Sequence, residues 1–176
     1  MPKRYHVTVI IAHWLIAILV MVALFMGSNV LTEMDNTDPE KINSLRGHMI
    51  AGIVIGVLSL YRIVMRFTAS RPAHAETGNA LLDKLGVIAH SVLNLLVVLM
   101  VASGIGLALQ SGLPAVVFGG EGSLPASFDE FAPRAAHGLL SKALMGLIVL
   151  HIAGAFFHQF VLKDKLLSRM GIGKTN

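Results

Sequence analysis

Apolar residues along the chain fall into four long runs, which are separated by short stretches rich in polar residues, glycine and proline. The runs cover residues 7–27, 47–68, 84–109 and 135–162. Each can cross a hydrocarbon layer of about 30 Å, which takes roughly 20 helical residues. Because a backbone in lipid must satisfy its own hydrogen bonds, such runs are typical of helices. The pattern predicts an all-α integral membrane protein, a single domain over residues 1–176 folded as a four-helix transmembrane bundle.

Composition agrees with a chain surrounded by membrane lipid. Hydrophobic residues make up 55% of the 176 residues and charged residues only 14%, whereas about a quarter of the residues in a soluble domain are charged. The first run is too long for a signal peptide and no cleavage site follows it, so we expect a retained helix. The chain has no cysteine, which excludes disulfides, iron–sulfur clusters and thiolate metal sites.

Charge is distributed unevenly between the two ends of the predicted bundle. Most Lys and Arg residues lie on the side of the two termini, which we call the terminal face. The other side, the loop face, carries the loops 28–46 and 110–134, with three basic and seven acidic residues. The positive-inside rule then puts both termini in the cytoplasm. This asymmetry accounts for the net charge of +4, so no nucleic-acid partner is predicted.

Six of the eight histidines lie in or at the ends of the runs, where polar side chains are rare and usually functional. The other two, His6 and His74, are expected to be solvated loop residues. In the fourth run, His137, His151 and His158 are spaced by fourteen and then seven residues. At 100° per residue they share one helix face, and about 21 Å of helix separates the first two. This spacing suits two sites stacked across a membrane.

The direction of each helix assigns the histidines to two depths. At the loop face, His48 of the second run is level with His137 of the fourth. Nearer the terminal face, His151 is level with both His13 and His90, and depth alone does not choose between them. We call these levels the outer and the inner level.

Two neutral imidazoles on facing helices are typical axial ligands of a haem iron, with apolar side chains against the porphyrin. Zinc is the alternative, but structural zinc prefers four protein ligands and catalytic zinc three. Gly47, Gly52 and Gly56 leave room beside His48 for a flat macrocycle, although glycines at this spacing are also typical of close helix packing. The runs contain no Asp or Glu, which disfavours a proton or cation transporter.

Four segments carry a resemblance that extends over nearly the whole chain. They contain His13, His48, His137 and, in the last, His151 and His158, and they read AHWLIA, RGHMIAG, AAHGLL and LHIAGAFFHQFVLKDKLLSRM. Together they resemble the bacterial di-haem cytochrome b-561 family. The resemblance implies two non-covalent b haems, an outer one bound by His48 and His137 and an inner one bound by His13 and His151.

The resemblance also implies an activity. One branch of the family is similar to superoxide oxidase, which takes electrons from periplasmic superoxide and reduces membrane ubiquinone. The alternative is an electron-conducting anchor subunit for a dehydrogenase or hydrogenase, since the family resembles such subunits. Arg46, Arg134 and Lys142 lie close in sequence to the outer histidines. They are expected either to guide an anionic donor or to bind haem propionates; no oligomeric state is predicted.

A quinone site is predicted at the inner level. His158 lies on the same helix face as His151 and about 10 Å nearer the terminal face. Quinone reduction takes up protons, and histidine is the side chain whose ordinary pKa is close to neutral. His158 and His90 are therefore the candidate quinone contacts. Arg62 and Arg66 end the second run at this level, where they would stabilise a reduced quinone or hold the inner haem propionates.

Overall fold

The computed structural model describes residues 2–73 and 76–174, and every regular element within them is helical. The α-helices are α1 Val7–Phe25, α2 Pro39–Thr68, α3 Ala80–Gln110, α4 Ala132–Phe156 and α5 Leu166–Arg169. Three π-helical turns cover Met26–Leu31 after α1, Ala115–Gly119 after α3, and Phe157–Leu162 after α4. Helices α2 and α3, and α1 and α4 with the π-helical turns that follow them, are each long and apolar enough to cross a membrane. The predicted four-helix transmembrane bundle is confirmed.

The helices extend beyond the apolar runs because capping residues decide where they begin. Helix α2 begins at Pro39 rather than near residue 47: the Asp38 carboxylate accepts the N–H of Glu40 at 2.9 Å, and proline suits the first helical position. Helix α3 begins at residue 80 because the amide oxygen of Asn79 accepts N–H groups from its first turn. Hydropathy therefore indicates the part of each helix in lipid, whereas the caps set its length.

Consecutive helices pack against each other, and their contacts form a narrow core. Its central cluster joins α1, α2 and α4 through Ile16, Val20, Ile55 and Leu144. In α4, Leu144 lies between the positions of His137 and His151. Apolar packing therefore separates the outer level of the bundle from the inner one.

Many of the large apolar side chains are exposed on the outside of the bundle. Phe67 is 82% exposed and Leu139 71% exposed, and side chains like them occur on all four long helices. A water-soluble bundle would bury such residues, whereas lipid tails are as apolar as the side chains themselves. The outer surface of the bundle is therefore suited to membrane lipid.

The two chain ends meet at one end of the bundle. The backbone N–H of Tyr5 donates to the carbonyl of Arg169 at 3.2 Å. The indole Nε1 of Trp14 donates to the carbonyl of Met170 at 2.9 Å. The segment after α4 thus crosses the start of α1 and closes the terminal face. That this face is cytoplasmic remains a prediction from the distribution of charge.

Candidate functional site

The outer level of the bundle contains a pair of half-buried imidazoles. The ring centroids of His48 in α2 and His137 in α4 are 6.2 Å apart, and the ring planes are inclined by 74°. Glycines on the other two helices face these rings. A Cβ atom at Gly104 would lie 3.2 Å from Cε1 of His137, and one at Gly27 would lie 3.7 Å from Cε1 of His48. A side chain at position 104 would crowd the His137 ring, whereas a Cβ at position 27 would make an ordinary van der Waals contact with His48.

Hydrogen bonding fixes which nitrogen of His137 carries the proton. The Ser103 hydroxyl donates its single proton to the carbonyl of Met100 at 2.9 Å, so its oxygen accepts from Nδ1 of His137 at 3.0 Å. Nε2 of His137 then keeps a lone pair for a metal ion. Nδ1 of His48 is buried without a hydrogen-bond partner among the described residues. Burying an unpaired ring nitrogen is costly unless a ligand satisfies the ring.

The inner level contains three imidazoles. His13 of α1 and His151 of α4 are half-buried, and their ring centroids are 6.3 Å apart with an interplanar angle of 73°. His90 of α3 lies nearer to His151, at 5.1 Å, but its side chain is exposed on the outside of the bundle. Nδ1 of His90 donates to the carbonyl of Gly86 in its own helix at 2.7 Å. The structure thus brings both candidate partners to His151.

The spacing of the rings separates these two candidates. A bond from a metal ion to an imidazole nitrogen is about 2.0 Å. A ring nitrogen lies about 1.1 Å from the ring centre, since the bonds of the ring are about 1.33 Å. Two imidazoles on opposite sides of one metal ion therefore have centroids about 6.2 Å apart. The pairs His48–His137 and His13–His151 fit an ion bound between them, whereas His90 is too close to His151 for this arrangement.

A buried arginine lies beside the inner pair. Nε of Arg62 in α2 is buried and has no hydrogen-bond partner within the described parts of the chain. The guanidinium is close enough to interact electrostatically with both His13 and His151. Arg66, one turn further along α2, is half-buried near Arg62. A guanidinium whose buried Nε lacks a partner among the described residues, beside two ligand-type histidines, fits an anionic group such as a haem propionate.

The three basic residues expected around the outer histidines have different surroundings. Arg46 is bound to the second outer loop, because its Nε and Nη2 donate to the carbonyl of Val117 at 3.0 and 2.7 Å. Nε of Arg134 lies 3.6 Å from the Asp129 carboxylate. Lys142 is exposed on the surface of α4. Of the three, Arg46 has a visible structural role in holding a loop.

A polar cavity of about 300 Å³ lies between the two outer loops. Lys41 lines it and is only 5% exposed; its Nζ donates to the carbonyl of Met34 at 2.6 Å. Arg134 also lines the cavity, together with Asp35 and Asp129. Sequence reasoning treated Lys41 as an ordinary loop charge. Its burial follows from the early start of α2, which the Asp-Pro pair before it could have indicated.

His158 is paired with a carboxylate that sequence reasoning missed. Nδ1 of His158 lies 2.6 Å from Oδ2 of Asp164, and Oδ1 of the same carboxylate accepts the N–H of Leu166 at 3.0 Å. Asp164 lies beyond the fourth apolar run and reaches back after the chain reverses at Lys163, which has a left-handed φ of 56°. The two candidate quinone residues thus have different neighbours, since His90 faces His151.

Of the two histidines expected in loops, the structure describes only His6. His6 is exposed, and its Nδ1 accepts the N–H of Thr8 at the start of α1 at 3.4 Å. His74 lies outside the described residues. His6 belongs to neither of the two histidine pairs that the described residues form.

Comparison with known proteins yields one family over most of the chain. A family model described as prokaryotic cytochrome b561 matches residues 4–173. Cytochrome b562 of Cereibacter sphaeroides is 32% identical over 162 residues, which cover 90% of this chain and 89% of the relative. The probable superoxide oxidase CybB of Yersinia pestis is 29% identical over 175 residues, covering 97% of each chain. Cytochrome b561 homolog 2 of Escherichia coli is 30% identical over 185 residues, covering 99% of this chain and 94% of the relative. No solved structure matches significantly.

Proposed function

The chain belongs to the prokaryotic cytochrome b561 family, and from this premise we propose that it is a di-haem oxidoreductase that transfers electrons from superoxide to ubiquinone. Membership makes it a multi-pass bacterial membrane protein of a family that transfers electrons with b haem. The observation that carries the proposal is the spacing of the two histidine pairs. Their centroid distances of 6.2 and 6.3 Å both fit a metal ion between opposed imidazoles.

In this proposal, His48 and His137 bind the outer haem, and His13 and His151 bind the inner one. Each haem, when bound, supplies reversible one-electron chemistry. The protein would supply imidazole nitrogens, apolar side chains and a fixed separation, since α4 contributes one histidine to each pair. Ser103 would keep Nε2 of His137 available, because its hydroxyl oxygen accepts a hydrogen bond from the Nδ1–H group. Arg62 is assigned to the inner haem propionates, because its buried Nε has no partner in the described part of the chain.

The proposed donor is superoxide, a small anion that becomes dioxygen when it loses one electron. Two observations support a donor of this kind. One relative of similar length is named probable superoxide oxidase. In addition, the cavity at the loop face is lined by the cationic side chains of Lys41 and Arg134, and Arg134 is near enough to His137 to interact with it electrostatically. Lys142 provides a further exposed cation on α4, while Arg46 holds the loop that borders this region.

The proposed acceptor is ubiquinone, bound near the inner level and the terminal face. His158 is the residue assigned to it, since its half-buried imidazole lies at the end of the last membrane-spanning helix and is hydrogen-bonded in place. Arg66 and the exposed His90 are secondary candidates at this level. The excess of basic residues at the terminal face supports a cytoplasmic location for this end and an inner-membrane location for the protein.

The proposal is tested by separating its two half-reactions. The purified, oxidised protein is mixed with superoxide in a stopped-flow instrument, with superoxide dismutase present in a matched control. The reduced protein is then mixed with a soluble ubiquinone. We expect the haem bands to appear only without dismutase and to decay when quinone is added. If the haem stays oxidised after mixing with superoxide, the proposed donor is wrong. If the haem is reduced only when a partner dehydrogenase is present, the protein is an anchor subunit instead.

A further inference from the structure

A single carboxylate connects His158 to the surface at the terminal face. Oδ2 of Asp164 lies 2.6 Å from Nδ1 of His158, and the backbone N–H of Asp164 also donates to the carbonyl of His158 at 3.3 Å. The side chain of His158 is 15% exposed and that of Asp164 is 24% exposed. Both side chains are mostly buried, and the carboxylate is the more exposed of the two.

We propose that Asp164 is the residue through which His158 exchanges protons with the water at the terminal face. The inference rests on the proposed function, in which His158 gives protons to ubiquinone. It adds a carboxylate to a site for which the apolar runs offered only histidine. It also specifies the side of the membrane from which the protons for quinone reduction are taken.

The hydrogen bond determines how the imidazole is oriented. An ionised carboxylate only accepts hydrogen bonds, so Nδ1 of His158 carries the proton that points at Asp164. Nε2 is then the nitrogen that can face a quinone oxygen. Reduction of one quinone takes two electrons, supplied by two molecules of the one-electron donor, and two protons. For each proton, the Nε2–H bond of the doubly protonated imidazole breaks and a quinone O–H bond forms, which leaves a neutral ring protonated at Nδ1. A tautomeric shift of that proton to Nε2 frees Nδ1, which then accepts a proton that the Asp164 carboxylate has taken from water.

The backbone around Asp164 is built to hold it against His158. The residues on either side, Lys163 and Lys165, have left-handed φ values of 56° and 57°. This conformation is unfavourable for residues other than glycine and asparagine, and it persists where surrounding contacts impose it. Oδ1 of Asp164 caps the next helix by accepting the N–H of Leu166. One carboxylate oxygen thus anchors the loop and leaves the other for the imidazole.

A second carboxylate at the terminal face offers a matched comparison. Asp83, at the start of α3, is close enough to His158 to interact with it electrostatically. However, its Oδ1 accepts the N–H and the hydroxyl of Thr77 at 2.7 and 2.8 Å. Asp83 therefore contributes a similar negative charge near His158 without a direct hydrogen bond to it. If only the Asp164 variant reoxidises its haem slowly, the hydrogen bond to His158 is needed and a nearby negative charge is not sufficient.

The test measures reoxidation of pre-reduced haem by a soluble ubiquinone, so that it does not depend on superoxide. Asp164→Asn keeps an oxygen that can cap the helix at Leu166, but it removes the group that binds and releases a proton. We expect the rate at saturating quinone to fall at least about tenfold, since positioned acid–base groups typically contribute more than this. The quinone concentration for half-saturation should stay unchanged. Asp164→Glu should recover part of the rate, and Asp83→Asn should react like the unmodified protein.

Two further measurements distinguish proton supply from a structural role. Small weak acids such as imidazole, added to the medium, should restore the rate in Asp164→Asn and leave the unmodified protein unaffected. In ¹⁵N-histidine NMR of the resting protein, the ring proton of His158, assigned with His158→Gln, should exchange with solvent more slowly in Asp164→Asn. The inference would be overturned if this proton exchanged equally fast in Asp164→Asn and in the unmodified protein. It would also be overturned if Asp164→Asn and Asp83→Asn slowed the exchange equally. If quinone fails to reoxidise the unmodified protein, the proposed acceptor is wrong, and the exchange measurement still decides the role of Asp164.

Discussion

The hydroxyl oxygen of Ser103 in α3 lies 3.0 Å from Nδ1 of His137 in α4. It accepts a hydrogen bond from Nδ1–H, because the hydroxyl donates its own proton to the carbonyl of Met100. The contact thus connects α3, which contributes no proposed ligand to the outer haem, to α4, which contributes His137. Partners of this kind orient a metal-binding histidine and typically change metal affinity or activity about 10- to 100-fold when they are removed.

Replacing Ser103 with alanine should therefore weaken the outer haem. We expect Ser103→Ala to lower the affinity for the outer haem by about 10- to 100-fold, with the inner haem retained. Haem titration of the apoprotein, followed by its absorption bands, measures this effect. Ser141→Ala is the matched control, since that hydroxyl donates to the carbonyl of Gly138 within its own helix. Equal haem affinities in the two variants would show that Ser103 does not support the ligand.

Alanine at any of the four proposed axial ligands should remove one haem and leave the other. His48→Ala and His137→Ala should lose the outer haem, and His13→Ala and His151→Ala the inner one, because each pair fits one metal ion. The haem content per chain and the electron paramagnetic resonance signals of the remaining haem measure the outcome. A variant of the outer pair that loses the signal of the inner haem would contradict the assignment.

His90 provides the critical comparison for the inner level. Although it lies closer to His151 than His13 does, its centroid distance of 5.1 Å is too short for two ligands on opposite sides of one ion. We expect His90→Ala to retain two haems per chain, with at most a shifted spectrum of the inner one. Loss of a haem in His90→Ala together with its retention in His13→Ala would reverse the inner pairing.

Two haems with two imidazole ligands each should leave no open position on either iron. We therefore expect a stoichiometry of two haems per chain and unchanged absorption bands when the reduced protein is exposed to carbon monoxide. Quantitative haem extraction and difference spectra measure these properties. Rapid carbon monoxide binding by the intact protein, or one haem per chain, would contradict the proposed arrangement.

Even the methyl side chain of alanine at position 104 should disturb the outer haem. Because a Cβ atom there would lie 3.2 Å from Cε1 of His137, Gly104→Ala should displace this ring by a few tenths of an ångström. We expect a changed midpoint potential or spectrum of the outer haem, while the inner haem is unaffected. Redox titration of both haems provides the measurement. Gly86→Ala in the same helix is the control, since its Cβ would meet no atom within 4 Å.

Local sequence determined the membrane fold and the helix face that His137, His151 and His158 share. Length and hydrophobicity are properties of each segment by itself, and a segment in lipid must form helical hydrogen bonds whatever its neighbours do. For the same reason, the spacing of His137, His151 and His158 along one helix follows from the geometry of that helix. The ligand roles given to the outer and inner pairs remain predictions, for which the ring distances provide support.

Tertiary structure decided the relationships between different segments. The distances from His151 to His13 and to His90 differ by little more than 1 Å, and they depend on how α1 and α3 are rotated about their axes. The role of Gly56 also depends on a neighbouring helix. A Cβ atom at this position would lie 3.1 Å from Val101 in α3, which favours close helix packing over room for a macrocycle. Asp164 reaches His158 only because two left-handed residues turn the chain back. Such contacts depend on helix rotation and chain reversal, which apolar runs and residue spacing do not encode.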